Sequence, residues 1–474
     1  MSEYNPFDKE LDDLEPSDLL SLQSVTEGWY VEYKSQMPNA ASIAKSISAF
    51  ANTYGGWLFY GISEQSKENA VAGNFVGIAK EKMDSALQTI RQAVAVSINP
   101  APHFDIKVVW GPMAQIGLAS ENGVICVRVP QGFASPYVHK SGMIYRRVGD
   151  GSEPKAEADR FILDQLWRRG DSIRNEYSDW LDSDLELSKG EGDRPYLRIF
   201  ISPDLWRDKD IWAKLNTDKV RAILSKSIDA ECLYAIPFDT VHRTASGYVG
   251  RQVKNNDPHS LTATWFLNPN LTSMLVLPLP TVSNDPISGV EYELQGYAHA
   301  SQYSEALRQH GHGEATIVDL NFVFTALAGM FNIQSYLDAE AKRVGPLFIK
   351  AQFINVWRMR PFIDLERVVS HQLEHGVPVC LKSNFLIPTG KSPDTFQEIP
   401  TFDDVEKPSM RKFFQAMYAF DPIAAAMGIE TGSAQILELN GAQQTIYSDL
   451  VETFERASAA QTFRNAKQNK RNNY

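Results

Sequence analysis

Apolar and polar positions alternate in short blocks along the first 170 residues, and the period of each block predicts its element. Ser17 to Ser24 (SDLLSLQS) reads as a short helix capped by Ser17 or Asp18. Trp29 to Lys34 (WYVEYK) reads as a strand. Ala41 to Tyr54 carries Ile43, Ile47 and Phe50 at i, i+4 and i+7, the buried stripe of a helix. Gly55-Gly56 stops it, because glycine tolerates the left-handed turn after a helix. Trp57 to Ile62 is a continuous apolar run, expected to be a buried strand. Lys80 to Val96 repeats the helical pattern with Met83, Leu87 and Ile90, and Asn99-Pro100-Ala101-Pro102 ends it. Strands are expected at Phe104–Trp110 and Gly123–Val129. Tyr137 to Val148 reads as a hairpin turning at Ser141-Gly142, and Ala156 to Arg169 as a closing helix.

Beyond this block, Asp182 to Pro195 (DSDLELSKGEGDRP) is charged and glycine-containing, as interdomain linkers are. The expected organisation is an N-terminal segment 1–24, a domain 25–170, a linker 171–195, a larger domain 196–455 and a tail 456–474. In the larger domain, strands are expected at Tyr196–Ile201, Leu233–Val241, Thr262–Phe266, Ser273–Leu279 and Tyr292–Tyr297. Helices are expected at Asp319–Val344, Leu365–His375, Met410–Met427 and Thr445–Phe463. Strands followed by helices predict an α+β fold, and the first domain reads as mixed α/β or α+β.

Composition narrows the class. The 474 residues are 43% hydrophobic and 22% charged, which excludes a disordered or collagen-like chain. Cys126, Cys232 and Cys380 are too few and too scattered for a disulfide scaffold. No apolar run reaches the ~18 residues of a membrane span, and the acidic, polar start does not read as a signal peptide. A soluble, cytoplasmic protein is expected. The net charge of −12 excludes a generally basic nucleic-acid binder. The charge is uneven, however. Residues 1–24 carry seven acids against one lysine, 25–170 carry 15 basic and 13 acidic residues, and 456–474 carry five basic residues and no acid. The near-neutral domain and the tail are therefore the places where a polyanion would bind. The tail reads first as a frayed, solvated end, with a nucleic-acid contact as the alternative.

The informative stretch is Glu27-Gly-Trp-Tyr-Val-Glu32-Tyr-Lys34. On a strand, Glu32 and Lys34 share a face, and Val31 and Tyr33 share the other. Carboxylates beside an ammonium can hold a divalent metal and steady the charge developing on a phosphate. Glu27 joins such a site only from a turn ahead of the strand. The alternative is a surface ion pair of little consequence.

Taken with Ser48-Ala-Phe-Ala-Asn-Thr-Tyr-Gly-Gly56, Val71-Ala72-Gly73, Val124–Pro130, Ser135-Pro136 and Tyr145-Arg146-Arg147-Val148-Gly149, the order Glu-x4-Glu-x-Lys resembles the Schlafen-type AlbA_2 domain over about residues 20–170. The resemblance implies nucleic-acid binding, of RNA or DNA. For some members it implies metal-dependent cleavage of RNA by two glutamates of this motif and an aspartate after the second strand. Here it places Glu27, Glu32 and Lys34 as catalytic residues, and Glu27, Glu32 and Glu64 as ligands of Mg²⁺ or Mn²⁺. The position of the family aspartate is Ser63, so Glu64 serves only if a bulge or strand end at Ser63 swings it inward. Because Schlafens pair two such lobes and this chain has one, a homodimer is expected. A role in antiviral defence or stress follows from the same likeness. The alternative is a non-catalytic DNA-binding transcriptional regulator.

Lys45, His139, Lys140, Arg146 and Arg147 are the expected nucleic-acid contacts, with Trp29 and Tyr137 as candidates for base stacking. Arg146 and Arg147 point to opposite faces, so at most one is expected to touch nucleic acid directly, and the other would pair with an acid such as Asp150. His371-Gln-Leu-Glu374-His375 matches H-x-x-E-H, a zinc-peptidase pattern, but Gly376-Val377-Pro378 ends its helix at once. An exposed helix end with histidines beside the negative dipole is the expectation there. His310-Gly-His312-Gly-Glu314 reads as a flexible turn. No G-x4-G-K-S/T motif occurs, so no ATP site is expected.

Overall fold

The computed structural model describes residues 4–429 except 8, 10, 67–68, 149–152, 204, 206–214, 227–233, 255, 285–287 and 344, and also residues 453, 456, 457 and 460. The chain divides into two units, Met1–Trp180 and Leu181–Tyr474, each with mixed α and β structure.

The first unit is built on β1 (Val31–Lys34), α1 (Ala40–Asn52), β2 (Gly56–Tyr60), β3 (Ile62–Glu64), β4 (Ala72–Phe75), β5 (Ile78–Ala79), α2 (Lys80–Ser97), β6 (Ile98–Asn99), β7 (Asp105–Trp110) and β8 (Asn122–Val129). β9 (Val138–His139), β10 (Tyr145–Arg146), β11 (Lys155–Ala156) and α3 (Arg160–Asp182) complete it. β1 pairs parallel with β2, and β8 lies antiparallel to β2, β5 and β7. β1 is thus an edge strand.

Strand alternation assigns the two faces. Leu58, Tyr60, Ile125 and Val127 pack under α1 and α2, where Ile43, Ile47 and Phe50 form the expected stripe with Met83 and Ile90. Val31, Tyr33, Trp57, Phe59 and Cys126 face the other way, onto Phe7, Leu11, Leu14, Leu19 and Leu22. The acidic segment 1–24, expected outside the domain, is therefore one of its layers. Among its described residues Asp12, Asp13 and Glu15 are exposed, and Leu11, Leu14, Leu19 and Leu22 are core. Pro16–Ser24 is a 3₁₀ helix.

Three further expectations are corrected here. The hairpin turns as expected, with the Gly142 amide donating to the His139 carbonyl at 2.8 Å. Its arms, however, pair mainly elsewhere, β9 with β6 and β10 with β11. The closing helix runs on to Asp182, through the start of the expected linker. The apolar run 57–62 is broken at Gly61, whose φ of +95° is open to glycine and whose Cβ would meet the Gly77 backbone at 2.8 Å.

The second unit holds an antiparallel sheet in the order 240–243, 248–251, 264–267, 273–278, 196–202, 347–354, 385–387, with 397–399 also on 347–354. Helices Leu320–Glu340 and Pro408–Ala426 contribute to its core, Phe324 meeting Phe413 at 5.6 Å between ring centroids. Strands thus recur late in the chain rather than preceding the helices. Tyr292–Tyr297, expected as a strand, instead overlaps helix Ser288–Glu293 and a following turn. Val290, Leu294 and Tyr297 are its buried residues, a helical and not an alternating spacing. Of the expected helix 445–463 only residues 453, 456, 457 and 460 are described, all of them helical, and the start of the expected strand at Leu233, Cys232 and Asp150 lie outside the described residues. So do Gly149 and most of the tail. Arg456, within the expected tail, is half-buried, its Nε 2.5 Å from the buried Asp364 carboxylate. Among the described residues no helix is long and apolar enough to cross a membrane.

Candidate nucleic-acid and metal site

The edge position of β1 explains the local geometry of its motif. The backbone groups of Tyr30, Glu32 and Lys34 turn toward β2, as the Trp57 and Gly61 amides on the carbonyls of Tyr30 and Lys34 show (2.7 Å each). Those of Val31 and Tyr33 face outward and need partners of another kind. Glu27 supplies one. It sits on a turn before the strand, and its Oε1 accepts the Tyr33 amide at 3.0 Å. Arg147 supplies the other set, donating from Nε to the Gly28 carbonyl at 3.1 Å and from Nη2 to the Gly28 and Val31 carbonyls.

Glu32 and Lys34 share a face, as alternation requires. The Lys34 ammonium lies 3.1 Å from Glu32 Oε1 and 3.8 Å from Glu27 Oε1. Glu32 is only 2% exposed. Its Oε1 also accepts from Ser46 Oγ at 3.0 Å, and its Oε2 meets Arg147 Nη1 at 2.9 Å. Both of its carboxylate oxygens are thus engaged. Above it, burial and the nearby Glu32 charge push the Tyr60 hydroxyl's pKa up.

Glu27 differs. Its Oε2 is buried with no hydrogen-bond donor among the described residues. The neighbouring group is a second carboxylate, Glu64, within hydrogen-bonding reach. Desolvation first, and Glu64 second, push the Glu27 pKa up to about 8, against the pull of Lys34 and the Tyr33 amide. Glu64 reaches this position because the β3–β4 register slips between Ser63 and Glu64. The bulge that the sequence required is present. Two carboxylates so placed share one proton or one cation.

Residues 27–156 match the family model described as Schlafen, AlbA_2. They form a Schlafen AlbA_2 domain. No curated protein matches the chain. Among solved structures, the DIP2311 protein from Corynebacterium diphtheriae is 20% identical over 32% of this chain and 29% of that one, with a TM-score of 0.20. This chain thus spans under a third of that protein's length.

The AlbA_2 domain treats the expected contact residues unequally. Arg147, expected at a nucleic-acid surface, is fully buried. It is the counter-ion of Glu32, and it lies over the Phe50 ring at 4.8 Å. Burial lowers its pKa and Glu32 offsets part of that. Arg146 points the other way, as expected, and pairs with Glu157 Oε2 at 2.7 Å. His139 is buried against Tyr145, its Nδ1 2.9 Å from Ser141 Oγ. Burial, then Lys140 and Lys45, keep its pKa low, so it contributes little charge near neutrality. Lys140 is exposed, and Lys45, half-buried, lies 5.2 Å over the Tyr145 ring. Tyr137, a stacking candidate, is core at 3% exposure, whereas Trp29 is 37% exposed.

Sequence reasoning missed Arg169. Its guanidinium donates to the carbonyls of Ala51, Asn52 and Thr53 at 3.2 Å and so caps the C-terminus of α1. Burial lowers its pKa to about 10. The only available signal was an arginine on a helix face. Among the described residues no group of three or more His, Cys, Asp or Glu side chains is placed to hold a metal ion. Of the expected trio, Glu32 is engaged by Arg147, Lys34 and Ser46.

Proposed function

We propose that the AlbA_2 domain binds nucleic acid, and that Glu27, Glu64 and Lys34 make it a metal-dependent phosphodiesterase. The observation that carries the second part is the Glu27–Glu64 pair with an orphaned, buried Oε2. Two carboxylates completed by water and substrate phosphate suit Mg²⁺ or Mn²⁺. When bound, such an ion polarises a phosphoryl oxygen and lowers the pKa of water. Lys34, 37% exposed at its side chain, stands where it can meet a phosphate oxygen. Glu32 holds Lys34 in place and, through Arg147, fixes the turn that carries Glu27. Glu32 is thus a positioning residue in this reading. Lys140 and Lys45 supply phosphate contacts that set affinity without sequence preference.

The test is incubation of the full chain with tRNA, single-stranded RNA and DNA in Mn²⁺. Cleavage that is lost in Glu27→Gln and Glu64→Gln is expected. Binding without cleavage in any metal would leave the second reading, a non-catalytic DNA- or RNA-binding regulator. The saturation of Glu32 by its own neighbours favours that alternative. A homodimer would complete a two-lobed groove, and a monomer by light scattering, with and without nucleic acid, would rule that architecture out. Work in defence or stress response would show as protection that depends on Glu27.

A further inference from the structure

The turn that joins Glu27 to Glu32 also carries an exposed aromatic surface. Trp29 is 37% exposed and Tyr54 is 46% exposed, with ring centroids 5.7 Å apart. Tyr30 lies 6.3 Å from Tyr54 and is backed by Tyr4, stacked at 4.8 Å. Rings of this size are ordinarily buried. These sit on backbone that is held in place. The Gly28 amide donates to the Val31 carbonyl at 3.0 Å, Arg147 grips the Gly28 carbonyl, and the Trp57 amide holds the Tyr30 carbonyl at 2.7 Å. Tyr54 precedes Gly55, which takes a φ of +75° and donates to the Phe50 carbonyl at 3.0 Å. The backbone that presents the rings is therefore held before a flat ligand binds.

We propose that Trp29 and Tyr54 form a stacking platform for an unpaired nucleobase. This rests on the nucleic-acid reading above and deepens it: the ligand is a single strand, loop or overhang, not a continuous duplex. Bases inside a duplex already stack on each other and offer no free face, whereas an unpaired base has one. Trp29 lies in the loop of a motif that ends in the half-exposed Lys34. Residues 25–170 carry a small positive excess in an acidic chain.

The experiment uses the full chain, without added metal at low salt, and an oligonucleotide with 2-aminopurine at one position. One form is single-stranded and the other fully paired. Tighter binding of the single strand, with quenching of the 2-aminopurine, is expected. Trp29→Ala with Tyr54→Ala should lose the quenching and weaken binding about fivefold to hundredfold at unchanged salt slope. Trp29→Phe should restore much of both. Equal binding of the two forms, with the double variant indistinguishable from wild type, would overturn the platform and leave nucleic-acid binding standing. No binding of either form would sink both.

Discussion

Two short motifs in this chain pair acids with bases at metal-site spacing, and the fold treats them differently. Glu-x4-Glu-x-Lys in the first unit is drawn inward. Glu32 is 2% exposed and Glu27 is 9% exposed; the outward Tyr33 amide of the edge strand holds Glu27, and Arg147, Ser46 and Lys34 hold Glu32. In the second unit, the histidines and glutamate of His-x-x-Glu-His lie on the exposed face of helix Glu366–His375, whose other face buries Val368, Val369 and Gln372. His371 and His375 lie ring to ring at 4.5 Å, and His375 faces its own neighbour Glu374 at 3.7 Å, with no third ligand among the described residues. His310 and His312 are likewise engaged locally, with the Leu373 carbonyl and Arg360. The two regions differ in burial: the first motif's carboxylates are withdrawn from water, and the second motif's His371, Glu374 and His375 are not. In water, a Glu beside a His or Lys gains little. In the core it must be neutralised or it must share a proton.

The largest effect that would break this comparison lies at Arg147. Arg147→Ala leaves Glu32 buried without its counter-ion and should cost about 3–5 kcal/mol in urea unfolding. Replacing both partners by apolar residues, Glu32→Leu with Arg147→Met, should recover most of that loss. If Arg147→Ala is neutral, Glu32 is not sealed in the way described.

Next comes Glu27. Its carboxyl is held above the ordinary value, so the folded state binds a proton that the unfolded state has already released. Stability should therefore be highest below about pH 4.5, fall as pH rises, and level off near pH 8, for this group's contribution. Glu27→Gln should flatten that slope. Mg²⁺ or Mn²⁺ should restore stability to the wild type near pH 8 and not to Glu27→Gln. A wild-type slope of the opposite sign in this window would contradict the Glu27–Glu64 contact.

The smallest effect is the counterpart in the second unit. His371→Ala with His375→Ala should change stability by no more than about 0.5 kcal/mol. Zn²⁺ should not raise the melting temperature of the wild type beyond that of the double variant. A selective Zn²⁺ shift would make the second motif a site after all.

Much of the first unit was legible because strand and helix periods are local. The stripe Ile43, Ile47, Phe50, the shared face of Glu32 and Lys34, and the opposed directions of Arg146 and Arg147 all follow from period alone. The bulge at Ser63 was legible as a requirement. What was hidden depends on distant partners. That Arg147 is the inward one follows from Glu32 and Gly28, more than 110 residues away in sequence. The acidic segment 1–24 was misplaced because its charge outweighed a readable signal, the buried series Leu11, Leu14, Leu19 and Leu22. The second unit gave up its long helices more readily than its short strands. Arg360–Phe362 and Gln397–Ile399 are three residues each, too short for any period to show.

The proposal is that a domain inside an acidic protein binds a polyanion through the exposed Lys140 and the partly exposed Lys34 and Lys45, while its buried arginines serve the fold. It is tested most directly by measuring affinity of the full chain for a single-stranded oligonucleotide against salt. Wild type should show a log–log slope of about −2, near −0.7 for each of three phosphate contacts. Lys34→Ala, Lys45→Ala and Lys140→Ala combined should bring the slope close to zero and weaken binding at low salt. A salt-independent affinity, or a triple variant that binds like wild type, would contradict the account.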